Sequence, residues 1–404
     1  MTTTVDGVTM ADVHRPEFIA DPYPLYRRVR EIDPVFWDER VGAWQVTGYR
    51  DALTALRDPK LSARRPQWSP EQRDDHLSAP LRALFTQVFV SDPPEHTRLR
   101  KLMAKPFLPR AVELLRGEIE RTAAELLDRV GDSGEMDFMA DFAMALPAAI
   151  VARVLGVPLA DRPKIWKRVL SWGVMVDGGP MSDDNPDYHL AGIAKYMDYF
   201  RAQVASRREN RADDLLQALA DGFDEGHFDS EEELLGNLIF VLTAGQTTTA
   251  HQIGNTVLGL VAHPDVLARI GANPSVVPDV MPEFLRYDSS VQLTKRRAVR
   301  PVELGGHLIS EGEEVFVWIG AAHRDPAAFA DPDVLDIDRP KTQNLALGHG
   351  AHYCLGGQLG QLVAEIALES FAARVRNPRV DLAKVERTAT PTFRGPHVLP
   401  MVFG

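Results

Sequence analysis

Between Glu95 and about Arg286 the chain repeats apolar residues at three- and four-residue spacing, the period of an amphipathic helix. The pattern predicts helices near 95–106, 111–130, 138–155, 161–176, 187–208, 211–220, 231–262 and 275–286. Shorter apolar stretches bounded by turn residues predict strands. Val35–Trp37 and Ala43–Val46 read as a hairpin, strands return near Val302–Leu304 and Val315–Trp318, and Thr390–Phe403 reads as a further hairpin. Asp21-Pro22-Tyr23-Pro24 opens a short helix, residues 1–20 read as a loose segment or strap, and a final helix is expected from Gly356 to Phe371. The result is a mainly helical α+β chain with small sheets at its edges. Length alone allows two or three domains. No repeat, low-complexity tract or Gly/Ser linker divides the chain, so residues 1–404 are read as a single domain.

Composition changes this picture little. An apolar content of 45% is ample for a large core. A formal net charge of −12 argues against nucleic acid as a partner. Nine of the 45 basic residues are lysine, which points to a GC-rich bacterial genome. The start, MTTTVDGVTMADVHRPEF, has neither the basic end nor the apolar centre of a signal peptide. No stretch approaches the ~18 apolar residues of a membrane span. The expectation is a soluble, cytoplasmic protein without a membrane partner. One cysteine, Cys354, excludes an internal disulfide and a multi-cysteine zinc site, and agrees with a reducing compartment.

That cysteine sits in Leu347-Gly348-His349-Gly350-Ala351-His352-Tyr353-Cys354-Leu355-Gly356, just ahead of the final predicted helix. An isolated cysteine is often a small buried apolar residue. A thiol among glycines at a helix N-terminus has another use, because exposed N–H groups and the helix dipole favour its anion. The glycines let the backbone pass close to something large and flat. An axial thiolate under a haem iron fits both features. The loop resembles the haem-binding loop of the cytochrome P450 family, Phe-Gly-x-Gly-x-His/Arg-x-Cys-x-Gly. Gly348, Gly350, His352, Cys354 and Gly356 match, and Leu347 replaces the family's Phe. The aromatic normally packs beside the thiolate, so this replacement bears on access to the sulfur and on the iron potential.

Other segments extend the resemblance over nearly the whole chain in the family's order. Glu283-Phe284-Leu285-Arg286 puts an acid and a base three apart on one helix face. Out of context such a pair is a surface ion pair worth ~0.3–0.5 kcal/mol. Ahead of the cysteine loop it resembles the family's helix pair, completed by an arginine upstream of the cysteine, here Arg339. The network is expected to pin that loop. In Asp92-Pro93-Pro94-Glu95-His96-Thr97-Arg98-Leu99-Arg100, His96 and Arg100 share a face and resemble the family's propionate site; a solvated basic helix start is the plainer alternative. His352 and Arg296 fall where the family has further propionate ligands, with Arg297 as the alternative to Arg296.

The predicted helix over 231–262 carries Ala244-Gly245-Gln246-Thr247-Thr248-Thr249-Ala250 at its middle. A glycine and three threonines are poor helix formers, so a local distortion, a close ligand or back-bonded hydroxyls are expected. The stretch resembles the family's oxygen-activation motif, Ala-Gly-x-Asp/Glu-Thr. On that alignment Ala244 and Gly245 flank the haem, Thr248 is the alcohol, and Thr247 stands where the acid belongs. A threonine holds a water but does not ionise near neutral pH. No acid follows Glu233 in this helix. His251, three residues past Thr248, titrates in the useful range, against the plainer reading of a histidine bonded to backbone or solvent.

The resemblance implies the family's triangular, helix-rich fold and haem b with Cys354 as axial thiolate. It implies a monomeric monooxygenase that puts one atom of O2 into a small or medium hydrophobic substrate, in secondary metabolism or catabolism. Electrons come from a separate ferredoxin and ferredoxin reductase, or a flavodoxin. The basic residues Arg98, Lys101, Lys105 and Arg110 mark the expected docking face for an acidic ferredoxin. The substrate pocket is expected from Trp68, Phe85, Phe89, Trp172, Val241, Ala244 and Val291, with the turn near Phe393–Val398. Radical coupling, ring closure, desaturation or peroxide-driven oxidation are alternatives that tolerate the missing acid. A non-catalytic haem sensor is the rival of another class.

Overall fold

The structure, a computed structural model, describes residues 9–64, 77–131, 134–162, 186–340, 343–388 and 390–404. Trp68, Trp172 and most of the predicted helix at 161–176 lie outside them. The chain packs as two compact units, one of Met1–Ser62, Glu118–Leu146 and Thr248–Gly404, the other of Ala63–Gly117 and Pro147–Thr247.

The first unit is organised on a five-stranded sheet. Val35–Asp38 and Ala43–Val46 form the predicted hairpin, with Val35 opposite Val46. Ala43–Val46 then pairs parallel with Glu314–Trp318, which pairs antiparallel with Leu293–Ala298. Leu61–Ser62 closes the far edge against Leu293–Ala298. Val35, Val46, Val315, Val317, Ile309 and Leu345 are fully buried together in the core of this sheet. A second cluster joins Leu25, Tyr26, Val29, Phe36 and Trp318 to Met10 and Val13.

That cluster corrects the expectation of a loose segment over residues 1–20 for residues 9–20, the part that lies within the described residues. Met10–His14 is a short helical turn whose cap, Thr9, exchanges hydrogen bonds with Asp12, and Pro16–Ala20 continues as helix. Burial of Met10 and Val13 anchors the stretch.

The C-terminal hairpin is also corrected. Pro396–Val398 pairs with Glu386–Arg387, whereas Pro400–Val402 pairs with Glu135–Asp137 and Arg379–Val380. Only Leu399 separates the two strands, too short a link for a two-residue hairpin turn. Its burial carries the chain straight from one sheet to the other. Strand Leu293–Ala298 is an addition to the sequence reading.

Helices fall close to the predicted periods. They include Glu95–Met103, Arg116–Val130, Ala145–Leu155, Pro186–Arg207, Val277–Tyr287 and Gly357–Arg374. The predicted 211–220 segment is instead Leu215–Asp224, because the Asp214 side chain caps it by accepting from the Gln217 N–H. The long helix runs from Glu231 to Ala262 without a break, so its threonines do not interrupt it. In the second unit Gly236 lets it approach Ala79–Phe85: a Cβ there would stand 2.0 Å from the Ala83 carbonyl oxygen. Among the described residues no helix is long and apolar enough to cross a membrane.

Candidate active site

The cysteine loop belongs to the first unit and is shaped by its own backbone. Gly348 and Gly350 adopt φ of +70° and +71°, a region costly for any residue with a Cβ. At Gly350 a Cβ would also stand 2.8 Å from the Leu56 carbonyl oxygen. The Cys354 N–H donates to the Leu347 carbonyl at 2.8 Å and closes the loop. Leu347 itself packs toward Gly357, where a Cβ would lie 3.2 Å from its Cδ1. Gly356 caps helix Gly357–Arg374, so Cys354 stands just before its first turn. The thiol is exposed rather than buried, contrary to the plain reading of an isolated cysteine.

The loop is anchored from behind. Arg286 donates Nε and Nη2 to the two carboxylate oxygens of Glu283, each at 2.7 Å. Arg339 Nε adds a third contact to Glu283 at 3.1 Å, and the Asp336 N–H a fourth at 3.0 Å. The arginines then bind carbonyls of the connecting segment: Arg286 reaches His323, Pro332 and Val334, and Arg339 reaches Ala330, Asp331 and Val334. This is the network expected of the Glu-x-x-Arg pair, with both side chains of that pair in the protein interior.

The sequence reading missed His323, which no motif flags. Its Nε2 accepts the Leu345 N–H at 2.7 Å, two residues before Leu347. Its Nδ1 faces Ser289 Oγ at 2.8 Å, and Ser289 Oγ in turn donates to Leu285. The ring is therefore neutral with its proton on Nδ1. Burial, with Arg286 and Arg324 nearby, pushes its pKa down to about 3. Arg57, another omission, lies against the His349 ring, with Nε 3.0 Å from Nδ1.

The long helix shows one half-buried stripe. From Glu233 to Leu260 it is buried except at Phe240, Ala244, Gly245, Thr247, Thr248 and Leu258. Phe240, Ala244, Thr247 and Thr248 follow the i, i+4, i+7, i+8 pattern of a single face. Val241 is buried, and it is Phe240 that shares that face, stacked on Phe89 at 5.1 Å between ring centres. Gly245 packs against Val151, whose Cγ2 would meet a Cβ at 2.7 Å. His251 is buried, with Nε2 3.3 Å from Thr388 Oγ1 and, among the described residues, no partner for Nδ1.

In the second unit His96 is buried on helix Glu95–Met103. Burial, and then the charge of Arg100, lowers its pKa. Arg98 departs from the docking expectation, because it is tied to Glu233 at 2.8 and 2.9 Å and to Asp229 at 3.0 Å. Lys101, Lys105 and Arg110 are exposed. On strand Leu293–Ala298, Arg296 is buried and donates to Thr294 Oγ1 and the Lys295 carbonyl, while Arg297 turns to the Gly312 carbonyl. Phe85 is half-buried in Ala79–Phe85, and Val291 pairs by a single bridge with Phe393. His352 closes the short turn Gly350–His352, two residues before the cysteine.

These residues suit a haem. An exposed thiol stands at a helix start on a loop held by its own backbone, and along the long helix small residues and threonines form a half-buried stripe. In the second unit, the buried His96 and the half-buried Arg100 stand four apart on one helix, a donor and a cation of the kind that a propionate would engage.

Comparison with known proteins points the same way. The family described as Cytochrome P450 matches residues 187–374. "Cytochrome P450 107B1" of Saccharopolyspora erythraea is 36% identical over 385 residues, covering 90% of each chain. "Cytochrome P450 monooxygenase PikC" of Streptomyces venezuelae is 36% identical over 394 residues, covering 95% of this chain and 92% of that one. Among solved structures, P450BioI in complex with hexadec-9Z-enoic acid ligated acyl carrier protein superposes with a TM-score of 0.89 at 30% identity, covering 96% and 99% of the two chains.

Proposed function

Because this chain belongs to the cytochrome P450 family, we propose that it binds haem b through the Cys354 thiolate and oxygenates a small or medium hydrophobic substrate. The observation that carries this reading is the exposed Cys354 on a backbone-closed loop at the start of Gly357–Arg374. Haem, when bound, supplies the activation of dioxygen; the chain supplies the ligand, the anchoring charges and the protons. His96, Arg100, Arg296 and His352 hold the propionates. Ala244 and Gly245 flank the ring, and Thr248 holds water where protons are needed. Similarity over nearly the whole length supports a single P450 domain.

Electrons arrive from a separate acidic ferredoxin that docks on Lys101, Lys105 and Arg110, beside the exposed Leu108 and Leu114. Arg98 is spent on Glu233 and Asp229 and takes no part. Reversing charge at Lys101 and Lys105 is expected to slow reduction by ferredoxin about tenfold at low salt and to flatten its salt dependence. Equal wild-type rates at low and high salt would argue against steering.

Thr248→Ala tests the reading on the long helix. NADPH consumption should continue while peroxide accumulates and product falls, since a lost proton donor costs ~10²–10⁴-fold in the assisted step. Thr247→Glu should preserve or improve coupling in a plain hydroxylase. Thr247 on the half-buried stripe also favours a second reading, an oxidation such as radical coupling or ring closure that needs fewer delivered protons. In that case Thr247→Glu should divert flux to a hydroxylated by-product. Unchanged coupling and product in Thr248→Ala would remove this threonine from the mechanism.

A further inference from the structure

The Glu283 network and the cysteine loop meet at His323. Its carbonyl oxygen accepts from Arg286 Nη1 at 2.9 Å, and its ring Nε2 accepts the Leu345 N–H at 2.7 Å. One end of the residue is therefore held by the buried ion pair, and the other holds the backbone that leads into the loop. Beyond Leu345 the bonds continue. The Leu345 carbonyl accepts the Gly348 N–H and the Leu347 carbonyl the Cys354 N–H, each at 2.8 Å. A second tie, from Asn344 Nδ2 to the Pro282 carbonyl at 3.1 Å, fixes the neighbouring residue to the same helix but bypasses the ion pair.

The ring has no slack. His323 and Leu345 are both 0% exposed. Ser289 Oγ gives its proton to the Leu285 carbonyl, so toward Nδ1, 2.8 Å away, it accepts. That fixes the ring proton on Nδ1 and leaves the Nε2 lone pair for the Leu345 N–H. Phe329 closes one side edge-on, with ring centres 6.3 Å apart, and the Arg286 guanidinium lies 5.4 Å from the centre of the same phenyl ring. With Leu345 wholly buried, its N–H has no water to turn to. A buried N–H left unpaired is costly, so the backbone there stays where Nε2 is. A protonated ring would lose the lone pair; burial, with Arg286 and Arg324 nearby, pushes the pKa down to about 3 and keeps the acceptor.

We propose that His323 is the positioning residue of the cysteine loop: its Nε2 lone pair fixes the path of Leu345, and through Leu345 the backbone that presents Cys354. What the loop needs from this side chain is an acceptor in that one place, not bulk, a donor or a charge.

This inference rests on the haem reading above, and its test separates the two. Glutamine puts its side-chain oxygen where Nε2 lies, asparagine puts its amide where Nδ1 lies, and leucine offers neither group. In the holoenzyme, amide hydrogen exchange at Leu345 and the thiolate-type share of the reduced carbonyl spectrum are measured for each. His323→Asn and His323→Leu should speed exchange at Leu345 by ~10-fold or more and convert a large part of the spectrum to the thiol type, while His323→Gln stays within about twofold of wild type on both. A side chain that only holds Ser289 in the core would favour asparagine over glutamine, because asparagine keeps that bond. Glutamine behaving like leucine, or asparagine behaving like wild type, overturns the proposal. If none of the variants folds, nitrogen NMR of histidine-labelled wild type decides. His323 is expected neutral, with its proton on Nδ1 and Nε2 bonded to the Leu345 amide; a proton on Nε2 overturns the proposal. Absence of the thiolate-type carbonyl spectrum in the wild type would instead overturn the haem reading, and exchange at Leu345 would still judge His323.

Discussion

Replacing Cys354 by serine is expected to abolish the thiolate-type absorption of the reduced carbonyl complex. Sulfur and oxygen differ here in acidity: a thiol at a helix start ionises readily, and a hydroxyl does not. No second cysteine exists to take over. The side chain is exposed and its N–H bond to Leu347 belongs to the backbone, so the variant should keep its helical circular dichroism. Loss of the spectrum with fold retained is the expected result. A spectrum identical to wild type would sink the haem assignment, and with it every role built on that assignment.

The largest structural effect is expected at Glu283. Its carboxylate neutralises Arg286 and Arg339 in a region with little water, and all three side chains are less than a tenth exposed. Removing one partner of a buried ion pair costs about 3–5 kcal/mol, because the charge left behind has no solvent to replace it. Glu283→Ala strands two guanidinium groups, and it also frees the Asp336 N–H. The carbonyls of 330–334 should then lose their fixed donors, and the segment leading to Leu345 and the cysteine loop should loosen. The checks are the urea midpoint and the fraction of protein purified with haem, both of which should fall. A surface pair would lose ~0.3–0.5 kcal/mol and keep full haem content. That outcome would reduce this network to decoration.

Several elements were legible in the chain because local chemistry states them. The helix at 231–262 appears with its predicted bounds, since apolar spacing persists through its threonines. The glycines of the cysteine loop signal left-handed backbone, and Gly348 and Gly350 adopt it. Glu283 and Arg286 share a face by spacing alone, and their contact follows.

Other features had no local signature. Leu293–Ala298 carries three consecutive basic residues and reads as polar, yet it is a strand because partners on both sides satisfy its backbone. Alternation along it then buries Arg296 and turns Arg297 outward, a choice the sequence left open. Arg98 looks like its basic neighbours until Glu233, 135 residues away, claims it. His323 belongs to no motif, and its hydrogen bond goes to Leu345, a residue remote in sequence. The sequence by itself determined the family, the glycine-lined loop of its one cysteine and the helical frame, because spacing, glycine and backbone propensity act between near neighbours. Only the tertiary structure decided which charges are already paired, which face of the long helix stays half-buried and what lies behind His251, because those depend on contacts between segments far apart along the chain.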